Sequence, residues 1–450
     1  MIEGWAEARL GDLVEVKHGF AFKGEFFTDE PTGSLLLTPG NFAIGGGFQF
    51  NKLKFYKNGP IPSDYVLQTG DLLVTMTDLS KAGDTLGYSA LVPESNYLML
   101  HNQRLGKVIA KTDKVDLRFV HWLLRDPRYR AEVLGSATGS TVKHTSPGRI
   151  GAYRFELPPL PEQRAIAATL GALDDKIELN RKMNATLEAM ARALFRDWFV
   201  TFGPTRAKMA LSATGAKNEN NSRAPYLSPD LWSLFPDRLD AEGKPEGWAY
   251  EPLLDQAEWV NGAAYKNMHF SDAPDALPVI KIAELKNGVT GTTQRTATDL
   301  GTRYLIDDSE LLFSWSGNPD TSIDTFLWTG GKAWLNQHIF AVRPNGKRSK
   351  PYLHTLLKFL KPEFAELARN KQTTGLGHVT KADMQRMMVC AASPEVHKAF
   401  DRLIEPIFNQ ALGLQKESHT LAQTRDLLLP RLMSGELRVA EAESIAANTV

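Results

Sequence analysis

The chain has 450 residues, and its formal net charge is zero because 52 lysines and arginines balance 52 aspartates and glutamates. This length predicts roughly two to four domains of about 100–200 residues each, and 42% hydrophobic with 23% charged residues excludes a wholly disordered chain. The single cysteine, Cys390, excludes a disulfide framework, and we expect a cytoplasmic protein with neither a signal peptide nor a membrane span.

One large unit occurs twice in the chain. Residues 4–29 align without a gap with residues 247–272 at a constant offset of 243, and 11 of the 26 positions are identical. Weaker matches follow in the same order: GDLLVTMTD (70–78) with SELLFSWSG (309–317), and HNQRLGKVI (101–109) with LNQHIFAVR (335–343). This period is far too long for a solenoid and indicates a tandem duplication.

Each unit opens with a tryptophan-containing segment and continues through short β-like runs, a helical run, a Gly/Thr loop and a long helix. This order predicts an α+β fold, with two duplicated mixed α/β domains separated by two long helices. The predicted segments are a first globular domain (1–158), a central long helix (159–200), a linker (201–246), a second globular domain (247–392), a C-terminal long helix (393–436) and a tail (437–450).

Both long helices carry a narrow seam whose residues are alternately three and four positions apart, which is typical of a coiled coil. The seam residues include Leu170, Leu173, Ile177, Asn184, Leu187 and Leu194 in the first helix, and Ile404, Ile407, Leu414, Leu421 and Leu428 in the second. Two single seams in one chain most simply bury each other, so we expect an antiparallel coiled coil that relates the two domains by a pseudo-twofold axis. The alternative is that each helix packs only onto its own domain and the two never meet.

Basic residues are concentrated at matched places in the two units. Residues 101–154 contain 11 basic and 4 acidic residues, and residues 332–386 contain 11 and 3. Two such stretches in a neutral chain indicate nucleic-acid contact rather than an ordinary solvated surface.

The candidate DNA-binding residues belong to short polar types that contact phosphates and base edges. They are Lys23, Asn102, Gln103, Arg104, Thr138, Ser140, Lys143 and His144 in the first unit, and Lys266, Ser316, Asn336, Gln337, His338, Thr374, His378 and Lys381 in the second. The Asn-Gln pairs are the strongest candidates for base readout, since amides bind adenine through two hydrogen bonds. Alternatively, these pairs cap strand ends, and the lysines are ordinary surface residues.

Candidate catalytic motifs fail on spacing. Asp237, Glu242 and Lys244 superficially resemble a nuclease motif, but they lie too close together in a Pro/Gly-rich segment to hold a metal between strands. Asn318-Pro319-Asp320 lacks the second proline and the aromatic residue of amino-methyltransferases, and no glycine-rich cofactor loop accompanies it. We therefore expect no catalytic residues and no metal ligands.

Three phrases carry a resemblance to a known family. They are PEQRAIAATLGALDDKIELN (161–180), LFPDRLDAEGKPEGW (234–248) and TRDLLLPRLMSGEL (424–437). Together with the duplicated domains, they resemble the DNA-specificity (S) subunit of type I restriction-modification systems over essentially the whole chain.

The resemblance implies a non-catalytic subunit of a prokaryotic cytoplasmic complex. Such a subunit binds a bipartite, asymmetric double-stranded DNA sequence, one half-site per target-recognition domain, and its helices dock two methyltransferase (M) subunits. A restriction/translocase (R) subunit joins them, and S-adenosylmethionine, ATP and Mg²⁺ belong to these partners, so we expect no cofactor in this chain. The alternative is a protein-assembly scaffold whose basic surfaces are incidental.

Overall fold

The computed structural model describes residues 4–50, 53–80, 82–213, 227–372, 376–447 and 449. The chain forms two compact units: residues 1–177 together with 420–450, and residues 178–419. Both combine short strands with helices, which confirms the predicted α+β class. None of the described helices has the length and apolarity required to cross a membrane.

The first unit is built largely from short strands. They are β1 (Ala6–Arg9), β2 (Val14–His18), β3 (Phe27–Thr28), β4 (Ser34–Leu37), β5 (Phe55–Tyr56), β6 (Leu72–Thr75), β7 (Thr77–Asp78), β8 (Ser89–Leu91), β9 (Leu98–His101), β10 (Leu105–Ala110), β11 (Lys143–His144) and β12 (Arg154–Leu157). An antiparallel sheet has the order β2-β10-β6-β8, and a second sheet has the order β3-β5-β4-β9, in which β4 and β9 are parallel. Two further pairs join β1 with β12 and β7 with β11.

The β2-β10-β6-β8 sheet separates two hydrophobic clusters. Leu72 and Val74 of β6 belong to one cluster, while Leu73 between them belongs to the other. Because alternate side chains of a strand point to opposite faces, a strand covered on both faces is a continuous apolar run. This accounts for the sequence LLVT, whose four residues are all buried.

Short helices cover the first unit's main sheet. They are α1 (Leu10–Leu13), α2 (Leu117–Leu123), α3 (Pro127–Gly135) and α4 (Pro147–Gly151). Asp116 and Asp126 cap α2 and α3, since their carboxylates accept backbone N–H bonds from Arg118 and Arg128. The caps explain why helices begin at these two positions.

The central long helix begins where its sequence predicts. It is α5 (Leu160–Phe199), and α6 (Gly203–Ala213) and α7 (Pro229–Ser233) follow it. Pro161 suits the first turn, where an N–H would lack a helical partner. The buried Gln163 side chain accepts the N–H of Asp116 at 2.9 Å, and Glu162 accepts the indole N–H of Trp5 at 3.0 Å. The PEQ phrase therefore attaches the start of the helix to the first unit.

The segment predicted as a linker, 201–246, contains α6 and α7 and contributes to a core. Phe202 and Phe235 within it are buried. The ring of Phe235 contacts that of Trp198 at 4.8 Å between centroids, and the ring of Phe202 lies 6.0 Å from that of Trp248. Aromatic packing thus holds the described ends of this segment in the second unit.

The second unit repeats the strand plan. Its strands are β13 (Ala249–Pro252), β14 (Glu258–Asn261), β15 (Leu277–Ile280), β16 (Arg295–Thr296), β17 (Leu305–Ile306), β18 (Leu311–Ser314), β19 (Ser316–Gly317), β20 (Asp324–Leu327), β21 (Ala333–Leu335), β22 (Ile339–Arg343), β23 (Gly377–His378) and β24 (Met388–Ala391). The main sheet has the order β14-β22-β18-β20, and a second sheet has the order β16-β15-β21-β17 with β15 and β21 parallel. The pairs β13–β24 and β19–β23 match β1–β12 and β7–β11.

The remaining helices are α8 (Ile282–Asn287), α9 (Lys350–Phe359), α10 (Lys361–Asn370), α11 (Lys381–Arg386), α12 (Pro394–Met433) and α13 (Val439–Ala447). The C-terminal long helix α12 ends just before Gly435, which has a φ of +66° and terminates the helix as glycine commonly does.

The two long helices contact each other and run antiparallel within each unit. In the first unit, Arg425 contacts Asp174 at 2.5 Å, and Arg438 just beyond α12 contacts Glu162 at 3.0 Å. In the second unit, the side-chain amide of Asn180 donates to Glu417 at 2.7 Å, and Phe195 lies 6.0 Å from Phe400 between ring centroids. The predicted antiparallel pair is confirmed, and the alternative in which the helices never meet is wrong.

The seam residues also belong to the cores of the units. Leu170, Leu173, Ile404, Leu421 and Leu428 are buried, whereas Ile177, Asn184, Leu187, Leu194, Ile407 and Leu414 are half-buried. Phe195 of α5, for example, contacts Tyr352 of α9 at 5.6 Å between centroids. The pair is therefore a coiled coil whose flanks are covered by the globular parts of both units.

Candidate nucleic-acid interface

A tight turn between β9 and β10 presents two of the predicted side chains. The N–H of Leu105 donates to the carbonyl of Asn102 at 3.0 Å, and the Asn102 side chain accepts the N–H of Arg104 at 2.9 Å. Asn102 is only 8% exposed because it closes this turn, whereas Gln103 and Arg104 are exposed at its tip. The structure therefore favours a capping role for Asn102 and leaves Gln103 and Arg104 free to reach a ligand.

The second unit has the same turn between β21 and β22. The N–H of Ile339 donates to the carbonyl of Asn336 at 3.2 Å. Asn336 is 6% exposed, while Gln337 and His338 are exposed. The duplicated Asn-Gln sequence therefore makes one turn twice, with different side chains following the glutamine.

A glycine packs against each turn. A Cβ atom on Gly19 would lie 2.1 Å from the carbonyl oxygen of Asn102, and one on Gly262 would lie 2.2 Å from that of Asn336. No other residue type fits so close a backbone approach. Gly19 and Gly262 are identical in the repeat because each allows the chain to cross its Asn-Gln turn.

One residue in each unit connects the Asn-Gln turn to the segment that contains β11 in the first unit or β23 in the second. The N–H of Met76 donates to the carbonyl of Arg104 at 2.9 Å, and its carbonyl accepts the N–H of Thr145 at 3.0 Å. Trp315 makes the equivalent bonds in the second unit, to the carbonyl of His338 at 3.4 Å and from the N–H of Val379 at 2.8 Å. Met76 and Trp315 therefore occupy equivalent positions at the same end of each main sheet.

The segment that contains β11 or β23 brings two predicted histidines to equivalent places. His144 on β11 pairs with Thr77, and its Nδ1 lies 3.2 Å from the Thr77 hydroxyl. His378 on β23 pairs with Ser316, the residue equivalent to Thr77. His144 and His378 directly precede Thr145 and Val379, whose N–H groups donate to Met76 and Trp315, and Lys143 precedes His144.

The other predicted loop residues surround this segment. Thr138 exchanges backbone hydrogen bonds with His144, and its hydroxyl accepts from Arg149 at 3.2 Å. Ser140 is exposed on the loop between them. Lys381 is exposed at the start of α11, with its ammonium group 5.6 Å from the ring of Phe340. The predicted residue Thr374 lies outside the described residues.

The two lysines of the repeated opening segment differ in their neighbours. Lys23 is exposed and lies 3.8 Å from Glu25, a distance that gives little stabilisation at a solvated surface. Lys266 lines a surface groove together with Gln337, so the structure brings these two predicted residues together.

Several cations of the two basic stretches already contact acidic side chains. In the first stretch, Arg125 is buried against Asp174 at 2.6 Å and Lys107 contacts Asp71 at 2.6 Å. In the second, Arg343 contacts Glu310 at 2.6 Å, and Lys361 contacts Asp324 at 2.5 Å. By contrast, the structure records no ion pair for Arg104, Lys143, Lys266 or Lys381 within the described part of the chain. The turns therefore present four cations without an ion pair, of which Arg104, Lys266 and Lys381 are exposed and Lys143 is half-buried.

The buried histidines have structural rather than chemical roles. Burial lowers the pKa of His101 to about 4 and that of His121 to about 3, so both are neutral near pH 7. Burial likewise lowers the pKa of His354 to about 3. Across the described ranges, no group of three or more His, Cys, Asp or Glu side chains could hold a metal ion. The exposed side chains at the turns are suited to hydrogen bonding and charge pairing.

Trp315 is a site residue that the sequence analysis does not include among its candidates, although it lies in the segment SELLFSWSG that aligns with GDLLVTMTD. The Trp315 indole N–H donates to the side chain of Asn261 at 2.9 Å, and its ring lies 5.5 Å from that of His338. A half-buried aromatic residue beside an exposed Gln-His pair provides a surface on which a base can stack. The alignment of Trp315 with Met76 in the repeat is the sequence feature that could have indicated it.

Comparisons with known proteins agree with this arrangement. Residues 2–189 and 245–389 match the family described as type I restriction modification DNA specificity domain. The chain is 25% identical over 403 residues to the HindI specificity subunit of Haemophilus influenzae, covering 79% of this chain and 87% of that one. It is 25% identical over 367 residues to the MjaIX specificity subunit of Methanocaldococcus jannaschii, covering 79% and 76%.

A solved structure shares the fold. The crystal structure of a type I restriction-modification S subunit from M. genitalium superposes with a TM-score of 0.50 at 14% identity, covering 95% of this chain and 96% of that one. The two regions that match the DNA specificity family contain the two duplicated β-rich domains. The chain belongs to the family of type I restriction-modification specificity subunits. We call the globular parts of its first and second units recognition domains 1 and 2.

Proposed function

We propose that this chain is a non-catalytic specificity subunit that binds a bipartite, asymmetric double-stranded DNA target, with one half-site in each recognition domain. One observation carries the proposal. Each domain has an equivalent tight turn at the equivalent end of its main sheet. The turn presents Gln103 and Arg104 in domain 1 and Gln337 and His338 in domain 2. Two turns with the same backbone structure but different side chains would recognise two different half-sites.

The chemistry of these side chains suits the major groove. Glutamine binds adenine and arginine binds guanine, each through paired hydrogen bonds. The exposed guanidinium of Arg104 is the group that pairs with guanine, while His338 beside Trp315 combines a hydrogen-bonding edge with a stacking surface. Lys143 and Lys381 would meet phosphates, which position a protein on DNA without reading its sequence.

We also propose that the long helices dock two methyltransferase subunits, and that a restriction/translocase subunit joins the complex in the cytoplasm. The exposed apolar residues Leu179 and Met190 on α5 and Leu427 on α12 support a protein-binding role for the helices. S-adenosylmethionine, ATP and Mg²⁺ would be bound by these partners.

The test is to express the chain with its methyltransferase subunit in cells that lack other adenine methylation, and to sequence the methylated DNA. We expect a two-part motif in the wild type. Arg104→Ala should relax one half of the motif only, and His338→Ala only the other. Lys332→Ala, which removes an exposed cation away from both turns, should leave the motif unchanged.

Two outcomes would contradict the proposal. If the complex assembles but neither methylates a defined motif nor retards DNA in a gel, the chain is an assembly scaffold. If the purified chain alone cleaves or methylates DNA in the presence of Mg²⁺ and S-adenosylmethionine, it is not a non-catalytic subunit.

A further inference from the structure

Recognition domain 2 has an open surface groove of about 610 Å³ beside its Asn-Gln turn. We call it the domain-2 groove. Residues that line it include Asn261, Lys266, Met268, Leu300, Tyr304 and Gln337. The side chain of Met268 is 82% exposed, and that of its apolar neighbour Leu300 is 37% exposed. An exposed apolar patch surrounded by polar residues is typical of an interaction site.

One cation, Lys266, lines the domain-2 groove, and a second, Arg303, adjoins it, because its guanidinium lies 4.6 Å from the centre of the ring of the lining residue Tyr304. Neither cation forms an ion pair among the residues described by the structure. The Asp299 carboxylate, beside Leu300, accepts the N–H of Gly301 at 2.6 Å. The charge of the two cations is complementary to a polyanion.

Domain 1 has acids at the positions equivalent to Met268 and Arg303, whereas the position equivalent to Lys266 is also a lysine, Lys23, which lies 3.8 Å from Glu25. The gap-free repeat aligns Met268 with Glu25 at the offset of 243. Arg303 is the middle residue of a 3₁₀ turn (Thr302–Tyr304), and its counterpart is Asp64 in the turn Ser63–Tyr65. The residue after each 3₁₀ turn, Val66 or Leu305, pairs antiparallel with the strand that leads to the Asn-Gln turn, which is β9 in domain 1 and β21 in domain 2. The two 3₁₀ turns are therefore equivalent.

We propose that the domain-2 groove binds the sugar-phosphate backbone of the second half-site, with Lys266 and Arg303 at phosphates and Met268 against a deoxyribose, and that domain 1 makes no equivalent contact. The proposal rests on the DNA-binding function proposed above. A methionine side chain is favourable against a sugar, whereas a carboxylate at the same place would repel the adjacent phosphates. Domain 2 would therefore supply the larger share of the salt-dependent affinity.

The test measures DNA affinity of the chain in complex with its methyltransferase at several salt concentrations. The probe is a duplex that carries the bipartite motif methylated by the wild-type complex. Arg303→Ala should weaken binding roughly three- to tenfold and reduce the salt slope by about one, because one phosphate contact is lost. Met268→Glu, which gives domain 2 the acid of domain 1, should weaken binding similarly. The reciprocal change Asp64→Arg should strengthen binding and steepen the slope.

Lys332→Ala is the matched control. It also removes one exposed cation from domain 2, but it precedes β21 at the end opposite Gln337, and its effect should stay within about twofold. The inference is overturned if the wild-type complex binds its motif and Arg303→Ala behaves like Lys332→Ala while Asp64→Arg gains nothing. If the wild-type complex binds no DNA at all, the proposed function fails, and this inference fails with it. Unchanged melting temperatures and unchanged methyltransferase binding would show that the variants are folded.

Discussion

Asn184 is a polar residue in the seam of the helix pair. Its side-chain oxygen is buried without a hydrogen-bond partner in the structure, and the residue lines a cavity of about 160 Å³ with Leu187, Ala191 and Ile407. An unpaired buried acceptor costs roughly 1–3 kcal/mol. We therefore predict that Asn184→Leu raises the melting temperature, because leucine removes the unpaired oxygen and fills part of the cavity. Since a polar seam residue also specifies helix register, the same variant should broaden the unfolding transition.

Asn180, one turn earlier, is the control for this prediction. It is fully buried and its side-chain oxygen also has no hydrogen-bond partner in the structure, but its amide N–H donates to Glu417 at 2.7 Å. Asn180→Leu breaks that charge-assisted bond and should lower the melting temperature. A lower melting temperature for Asn184→Leu as well would show that the polar centre of the seam stabilises the pair.

The sequence predicts polar residues in the seam but cannot say which of them has a partner. Asn180 and Asn184 look alike in a heptad pattern, and only the geometry of α12 distinguishes them. The same limit applies at the turns: the repeat identifies Asn102 and Gln103 together, but their burial assigns capping to the first and exposure to the second. The repeat does not indicate Met268 or Arg303, because each differs from its counterpart in domain 1.

At the scale of elements, one carboxylate of the first unit connects the two long helices with the segment between α2 and α3. Asp174 on α5 contacts Arg125, which follows α2, at 2.6 Å, and Arg425 on α12 at 2.5 Å. Burial alone would raise the pKa of Asp174, but the two guanidiniums outweigh it and hold the pKa below its ordinary value. Asp174 thus fixes the helix pair against the globular part of its unit.

We predict that Asp174→Asn destabilises the first unit by about 3 kcal/mol, because it leaves the buried guanidinium of Arg125 without its carboxylate, while Arg425 keeps only Asp426 at 2.7 Å. The pKa of Asp174 is depressed in the folded state, so its contribution is complete above the unfolded value of about 3.9 and is lost as the pH falls through the lower folded pKa. Thermal melting of the full chain between pH 3 and pH 7 measures this. The wild type should lose its advantage over Asp174→Asn at the acidic end.

Glu178→Gln on the same helix is the control for Asp174→Asn. Its partner Arg181 lies at 2.7 Å, but both side chains are exposed, so the expected change is within about 0.5 kcal/mol. Equal effects of the two substitutions at every pH would mean that Asp174 is an ordinary surface acid.

The sequence predicts the long helices well and the strands only in part. A 40-residue helix repeats its seam often enough to be recognised, and the PEQ and LMSG phrases mark ends that the structure places at Leu160 and Met433. Strands of two residues, such as β7 and β11, carry no periodicity at all. Their pairing depends on contacts between residues far apart in the chain, which local patterns do not encode.

At the scale of the whole molecule, a neutral chain can still bind DNA through a few well-placed charges. The two basic stretches contain 22 lysines and arginines. If all of them met phosphates, the logarithm of the binding constant would fall with the logarithm of the salt concentration with a slope of about −20. The structure leaves Arg104 and Lys381 of these stretches exposed at the turns, with Lys143 half-buried beside them. Together with Lys266 and Arg303 of the domain-2 groove, they should give the chain a share of between about −4 and −5 in that slope.

We predict that replacing Arg104, Lys143, Lys266 and Lys381 by alanine in the methyltransferase complex makes the salt slope less steep by about three to four, close to one for each cation. Lys111, Lys114 and Lys332 provide the comparison, because they belong to the same basic stretches but lie away from the turns: Lys111 directly follows β10 at its far end, and Lys332 precedes β21. Their triple alanine variant should change the slope by less than about one. Equal changes per cation in the two variants would mean that net charge along the stretch, rather than position at the turns, governs DNA binding.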